Sequence, residues 1–237
     1  MGPTPSVRRW WREHFARYGF RASLAALATA LWAFARESTP AQRRRRYGDV
    51  DFDWDYRVDT TSATVRWRDR LLGLLHSPYQ PTDPALFHEM LGSLNIDFRQ
   101  FVFVDLGSGK GRTLLMASDY PFRRIIGVEL LPSLHEVAEQ NISRYQPDVR
   151  RCAAVESICG DAREFVFPPE ALLLYFSNPL PEDALAQVVG NLEKSLLTTP
   201  RSVYVVYHNP VLEQVLRQSR LLKKTGGTHQ YAVYANG

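Results

Sequence analysis

A chain of 237 residues, 45% of them hydrophobic, is long enough for one ordinary domain with an appendage and can bury a sizeable core. Its formal charge of +4 is unevenly spread: residues 1–46 hold ten Arg against two Glu, a surplus of +8, while the remainder holds 19 Lys and Arg against 23 acids, a balance of −4. This excludes a general basic-surface argument for nucleic-acid binding by the main domain, and two cysteines, Cys152 and Cys159, exclude a disulfide framework or a zinc pattern.

Residues 7–36 read as helix, bent near Gly19. The stretch 23–35 is rich in Ala and Leu but falls short of the roughly 20 apolar residues that span a bilayer. No small-residue cleavage site follows it, so no secretory leader is expected. Arg21 and Arg36 flank it, and Trp10, Trp11 and Trp32 add aromatic anchors. Three roles stay open: packing on its own domain or a second subunit, lying on a membrane surface, or spanning one. The four arginines 43–46 close this basic helical appendage, residues 1–46. Residues 47–98 follow as a cap and lead-in. In them Val50, Phe52, Trp54, Tyr56 and Val58 alternate with Asp49, Asp51, Asp53, Asp55, Arg57 and Asp59. A period of two predicts an extended strap, either a cover on the core or an acidic, aromatic lid over a ligand. Residues 64–75 read as helix and 77–84 as a proline-rich loop. Asp83 then caps a helix opened by Pro84.

The third unit, residues 99–237, is organised by the stretch 101–112, FVFVDLGSGKGR. Its apolar start suits a parallel strand buried on both faces. It ends at Asp105, and Gly107, Gly109 and Gly111 allow a tight turn and close approach to a ligand. After it the pattern alternates: helix to Tyr120, strand 124–129, helix 132–145, strand 155–159, a short helix, strand 171–176, helix 182–197, strand 202–207 and helix 210–218. Two last strands, 221–225 and 230–235, flank Gly226-Gly227, which reads as a hairpin turn. Strand, glycine loop and helix open a nucleotide-type site in a doubly wound α/β sheet.

A dinucleotide fingerprint would place its third glycine at position 112, which is Arg112, and Asp105 would repel a pyrophosphate. An acid beside a glycine loop instead suits a ligand with a cationic end, such as S-adenosylmethionine. The second strand ends in Glu129, at the distance that places an acid on ribose hydroxyls, and the third runs into Gly160-Asp161-Ala162, where Asp161 can meet an adenine edge. VDLGSGKGR, GVE, GDA and SNP together resemble the ordered motifs of the class I, seven-strand S-adenosylmethionine-dependent methyltransferases. DLGSGKG followed by GVE is also similar to the seven-strand histone-lysine methyltransferases, although those carry an Asn-Asn-Phe type acceptor motif where this chain has Ser177, Asn178, Pro179 and Leu180. The resemblance implies a sheet of order 3-2-1-4-5-7-6 with its last strand antiparallel. It implies a cofactor site at Asp105, Gly107, Ser108, Gly109, Gly111, Glu129, Leu130, Gly160, Asp161, Ala162 and Ser177. Many members fold the segment before the first strand over the cofactor, which adds Tyr79 and Thr82.

Methyl transfer from a sulfonium is an in-line displacement that needs alignment and exclusion of water more than acid–base machinery. Asn178 and Pro179 follow the fourth strand at the sheet's carboxyl edge. The Asn178 carbonyl is suited to accept an acceptor N–H and Pro179 to fix the turn, although ordinary turn chemistry also explains the pair. Tyr56 and Asp59 would line the acceptor side from the acidic strap. Leu180 cannot stack on a base as the aromatic of Asn-Pro-Pro enzymes does, so nucleic acid is not the expected acceptor. His208 reads as a base or as a core or turn histidine. The expected activity is N-methylation of an amine, on protein lysine or a small molecule. The alternative is a silent cofactor-binding or membrane-associated scaffold. A cytoplasmic location is expected, with membrane-surface contact or dimerisation through the N-terminal helix, and no metal.

Overall fold

The computed structural model describes residues 50–61, 81–146, 150–177 and 180–236. The N-terminal appendage, the helix expected over 64–75, Tyr79, Asn178 and Pro179 lie outside the described residues.

Seven strands form one sheet: β1 (Phe101–Leu106), β2 (Arg124–Glu129), β3 (Val155–Cys159), β4 (Ala171–Phe176), β5 (Val203–His208), β6 (Leu222–Gly227) and β7 (Tyr231–Asn236). Their order is β3-β2-β1-β4-β5-β7-β6. The first five are parallel, with Val104 level with Ile126 on one side and Leu174 on the other. β7 runs antiparallel to both β5 and β6, with Val206 level with Val233. This is the expected doubly wound α/β sheet, closing strand included.

Every residue of β1 is buried, because helices cover both faces. Val102, Val104 and Leu106 point into a core shared with Leu172, Leu174 and the α-helix Glu182–Thr198. Phe101 and Phe103 point the other way, onto Leu173, Tyr175 and the α-helices Pro84–Gly92 and Arg112–Ala117. The Asp83 carboxylate accepts from the Leu86 amide at 2.9 Å and Pro84 occupies the first turn, as the sequence requires. Among the described residues no helix is long and apolar enough to cross a membrane.

Two expectations are overturned. Val50–Tyr56 is an α-helix, not an extended strap. Aspartate is a poor strand residue, and in a helix Phe52 and Tyr56 fall on one face, ring centroids 4.9 Å apart, against Tyr145. The helix stops where Arg57 turns left-handed (φ 55°) and the Val58 amide donates back to the Asp53 carbonyl at 3.0 Å. The second correction is the closing hairpin. Gly226 and Gly227 belong to β6, and the turn lies at 228–230. Gly227 has φ 125°, and a Cβ there would sit 2.4 Å from the Tyr231 carbonyl oxygen, so glycine serves close strand approach rather than the turn itself. The helix expected over 210–218 is shorter, Glu213–Arg217.

Candidate active site

In open α/β sheets a ligand sits beyond the carboxyl ends of the strands, where the strand order reverses. Here the reversal lies between β1 and β4, and Asp105 and Tyr175 stand level with each other beside it. The glycine loop 107–111 follows β1. Gly107, Gly109 and Gly111 have φ of 83°, 55° and 81°, values that other residues rarely adopt. The Gly107 and Ser108 amides donate to the Val128 carbonyl at 2.8 and 3.1 Å, which folds the loop over the end of β2. Gly127 in β2 makes room for it: a Cβ there would meet Ser108 Oγ and Leu114 Cδ1, each at 2.6 Å. Gly111 serves packing, since a Cβ would lie 3.2 Å from that of Ala138.

Glu129 is buried at the end of β2. One carboxylate oxygen accepts from the Gly109 amide and the other from the Leu131 amide, each at 2.8 Å. Each oxygen thereby keeps a lone pair for a ligand hydroxyl. Burial pushes the carboxyl above its ordinary range against the pull of these amides. Leu130, next in sequence, is an exposed large hydrophobic group, 38% accessible, and so is suited to the face of a planar ring. Asp105 is buried and accepts from the Thr113 hydroxyl. Burial first, and then the Glu129 charge, push its carboxyl up to about 7 although the Thr113 bond works the other way.

The remaining predicted cofactor residues divide. Asp161 caps the turn Ala162–Glu164, accepting from the Arg163 amide at 2.9 Å, and is ion-paired with the Arg163 guanidinium. The carboxylate expected at an adenine edge thus has an internal partner in Arg163. Ala162 packs into the core, and a Cβ on Gly160 would make an ordinary contact, 3.9 Å from Ile158 Cγ2. Thr82 is buried, and its hydroxyl lies 2.8 Å from the Tyr175 hydroxyl. Ser177 Oγ lies 3.0 Å from His208 Nδ1, and the Tyr175 hydroxyl lies 3.2 Å from the same nitrogen. Burial raises the Tyr175 phenol and lowers the His208 imidazole, so both are neutral at pH 7.

Asp53 and Asp59 turn to the glycine loop and the helix that follows it. Lys110, with a side chain 1% exposed, donates from Nζ to Asp59 Oδ1 at 2.7 Å. Asn141 accepts from the Asp59 amide at 2.9 Å and donates to the carbonyls of Asp59 and Lys110. Arg112 is equally buried: its Nε donates to Thr60 Oγ1 at 2.6 Å, one terminal nitrogen reaches Asp53 Oδ1 at 3.4 Å, and its guanidinium lies 4.9 Å from the Phe52 ring centre. Burial would raise the Asp53 carboxyl, but hydrogen bonds from the hydroxyls and amides of Thr60 and Thr61 hold it below the usual range. Tyr56 packs 5.0 Å from Tyr145, ring centre to ring centre. Tyr56 and Asp59 are thus part of a clamp on the outside of the loop. Sequence reasoning left Lys110 and Arg112 without roles; their signal was the unexplained density of acids at 49–59. Asp53→Ala is expected to destabilise the protein by about 2–3 kcal/mol, because it removes a partly buried carboxylate from the buried Arg112 and from four donors. Urea denaturation checks this.

No protein-family model matches the chain, and no curated protein matches it. Solved structures do. A protein from Listeria monocytogenes described as a predicted N6-adenine-specific DNA methylase aligns over 68% of this chain and 52% of its own length, at 15% identity and a TM-score of 0.49. The present chain thus spans about half of that protein. An RNA methyltransferase from Salinibacter ruber in complex with S-adenosyl-L-homocysteine aligns over 65% of this chain and 91% of its own, at 22% identity and a TM-score of 0.41. A TehB-like SAM-dependent methyltransferase from Corynebacterium glutamicum aligns over 73% and 95%, at 15% identity and a TM-score of 0.46. The seven-strand, doubly wound architecture is read from this chain's own sheet.

Proposed function

We propose that this chain transfers the methyl group of S-adenosylmethionine to an amine. The observation that carries the cofactor reading is the pairing of the glycine loop with Glu129: the Gly109 amide holds the carboxylate beside the exposed Leu130, at the carboxyl edge where the strand order reverses. When bound, S-adenosylmethionine supplies an electrophilic methyl on a sulfonium. Glu129 would accept from the ribose hydroxyls with its remaining lone pairs. Leu130 would cover one face of the adenine. Asp105 would take the ligand's ammonium, a role suited to a buried carboxyl that has no cation hydrogen-bonded to it among the described residues. Thr82, held by Tyr175, would close the near side and keep water from the reacting atoms.

The amine reading rests on Ser177, Asn178, Pro179 and Leu180, which follow β4 in the sequence. It no longer draws on Asp53 and Asp59, whose carboxylates are taken by Arg112 and Lys110. A protein lysine and a small-molecule amine fit this chemistry equally. The test is incubation of the full-length protein with methyl-labelled S-adenosylmethionine and a cell extract, then separation into protein, nucleic-acid and small-molecule fractions. Label on amine nitrogen in the protein or small-molecule fraction is expected. Label in nucleic acid overturns the acceptor, and label in no fraction overturns the activity.

A further inference from the structure

One polar cluster at the carboxyl edge holds a side chain, His208, that the cofactor reading does not use. His208 ends β5, one strand beyond Tyr175 at the end of β4, and is only partly buried. Its Nδ1 faces two hydroxyls, Ser177 Oγ at 3.0 Å and Tyr175 Oη at 3.2 Å. Tyr175 Oη in turn lies 2.8 Å from Thr82 Oγ1. No hydrogen bond from a described residue reaches Nε2. The cluster thus grips one side of the ring and leaves the other to whatever enters beside Ser177.

Resting on the methyltransferase reading above, we propose that His208 is the base for the methyl acceptor: its Nε2 takes the proton that the acceptor amine must lose. The hydroxyls can donate or accept, and one arrangement of the chain supplies the tautomer this needs. Tyr175 donates to Thr82, its nearer partner, and its oxygen and that of Ser177 accept from Nδ1–H. The lone pair then lies on Nε2. An acceptor arriving as an ammonium gives one proton to Nε2, and the N–H electrons stay on nitrogen as its lone pair. That lone pair forms the new C–N bond as the methyl C–S bond breaks, with the bond electrons returning to sulfur. The imidazolium releases its proton to water. Burial lowers the His208 imidazole, against a weaker opposing pull from the Asp83 charge, so the ring is ready to accept at neutral pH. Tyr175 and Ser177 act through the ring as positioning residues.

The test needs no knowledge of the acceptor. Sinefungin carries an amine-bearing carbon in place of the sulfonium methyl, and S-adenosylhomocysteine carries nothing there. A base beside the methyl should accept from that ammonium, so the wild-type protein should bind sinefungin about 10-fold or more tighter than S-adenosylhomocysteine. In His208→Asn, whose amide keeps the inner contacts to Ser177 and Tyr175 but lacks the outer nitrogen, the preference should vanish while S-adenosylhomocysteine affinity is unchanged. His208→Phe, which keeps ring bulk without nitrogen, should behave the same way. Wild-type protein that binds S-adenosylhomocysteine without preferring sinefungin, or either variant retaining the preference, overturns the role of His208 and leaves the cofactor reading intact. Wild-type protein that binds neither ligand overturns the cofactor reading itself.

Discussion

Replacing Glu129 by alanine is expected to lower affinity for S-adenosylhomocysteine by roughly two orders of magnitude or more. Two contributions combine. The carboxylate holds the Gly109 and Leu131 amides at 2.8 Å each, and its loss leaves both donors without that partner at the point where the glycine loop must stand still. The same oxygens are the proposed acceptors for two ribose hydroxyls, and each charge-assisted bond contributes roughly 1.5–3 kcal/mol. Glu129→Gln separates the two. Its amide can accept from one backbone donor but presents an NH₂ to the other, so it should bind more weakly than wild type and more tightly than Glu129→Ala. Calorimetry on variants with native circular dichroism gives the answer. Affinity unchanged in folded Glu129→Ala would remove Glu129 from the site.

The ligand-free protein is expected to lose stability as pH rises from about 4 to about 7, at a nearly even rate across that window. Asp105 is the cause: burial pushes its carboxyl up to about 7, against an ordinary value of 3.8. Below the ordinary value the carboxyl is protonated whether the chain is folded or not. Between the two values only the folded protein holds the proton, so each rise in pH favours unfolding. Above about 7 the full effect has been lost, of the order of 4 kcal/mol. Glu129, also raised by burial, adds in the same direction. Asp53 and Glu213 are held below their ordinary values and lose their contributions only below about pH 4, whereas the His208 imidazole, lowered by burial, works against Asp105 below about pH 6.5, so the difference between wild type and Asp105→Asn isolates Asp105. A ligand that brings an ammonium to Asp105 reverses the trend, and affinity for S-adenosylhomocysteine should rise with pH across that window. Asp105→Asn should flatten both curves and weaken binding. Melting curves without ligand that show the same pH dependence from about 5 to 8 in wild type and Asp105→Asn would contradict this account of Asp105.

Where the sequence pattern was dictated by burial, it read true. β1 is an unbroken apolar run because both faces are covered, and β2, β3 and β4 begin and end at the predicted residues. The acids at strand ends were visible because strand ends were. The pattern failed where side chains fold back on their own neighbourhood. In residues 50–59 alternation of Asp with apolar residues has the period of a strand. Yet Asp53 satisfies the Thr60 and Thr61 amides and Asp59 takes the Lys110 ammonium, bonds that only a helix and a returning loop can assemble. Lys110 and Arg112, exposed residue types by habit, are buried because those acids reach them. Gly226-Gly227 has the look of a turn, but the need for glycine comes from the Tyr231 backbone across the strand pair. His208 stayed ambiguous because its partners, Tyr175 and Ser177, lie 33 and 31 residues away. Only the parallel pairing of β4 with β5 brings them to it.

The most direct measurement is titration calorimetry of S-adenosylhomocysteine, and separately of NAD, into the purified full-length protein. The glycine loop closes with Arg112 where a dinucleotide site needs its third glycine, and Asp105 stands beside it. Saturable binding of S-adenosylhomocysteine at one site per chain, with no heat from NAD, is the predicted result. Binding of NAD in its place, or of neither compound, would contradict the assignment of this site to a methyl donor.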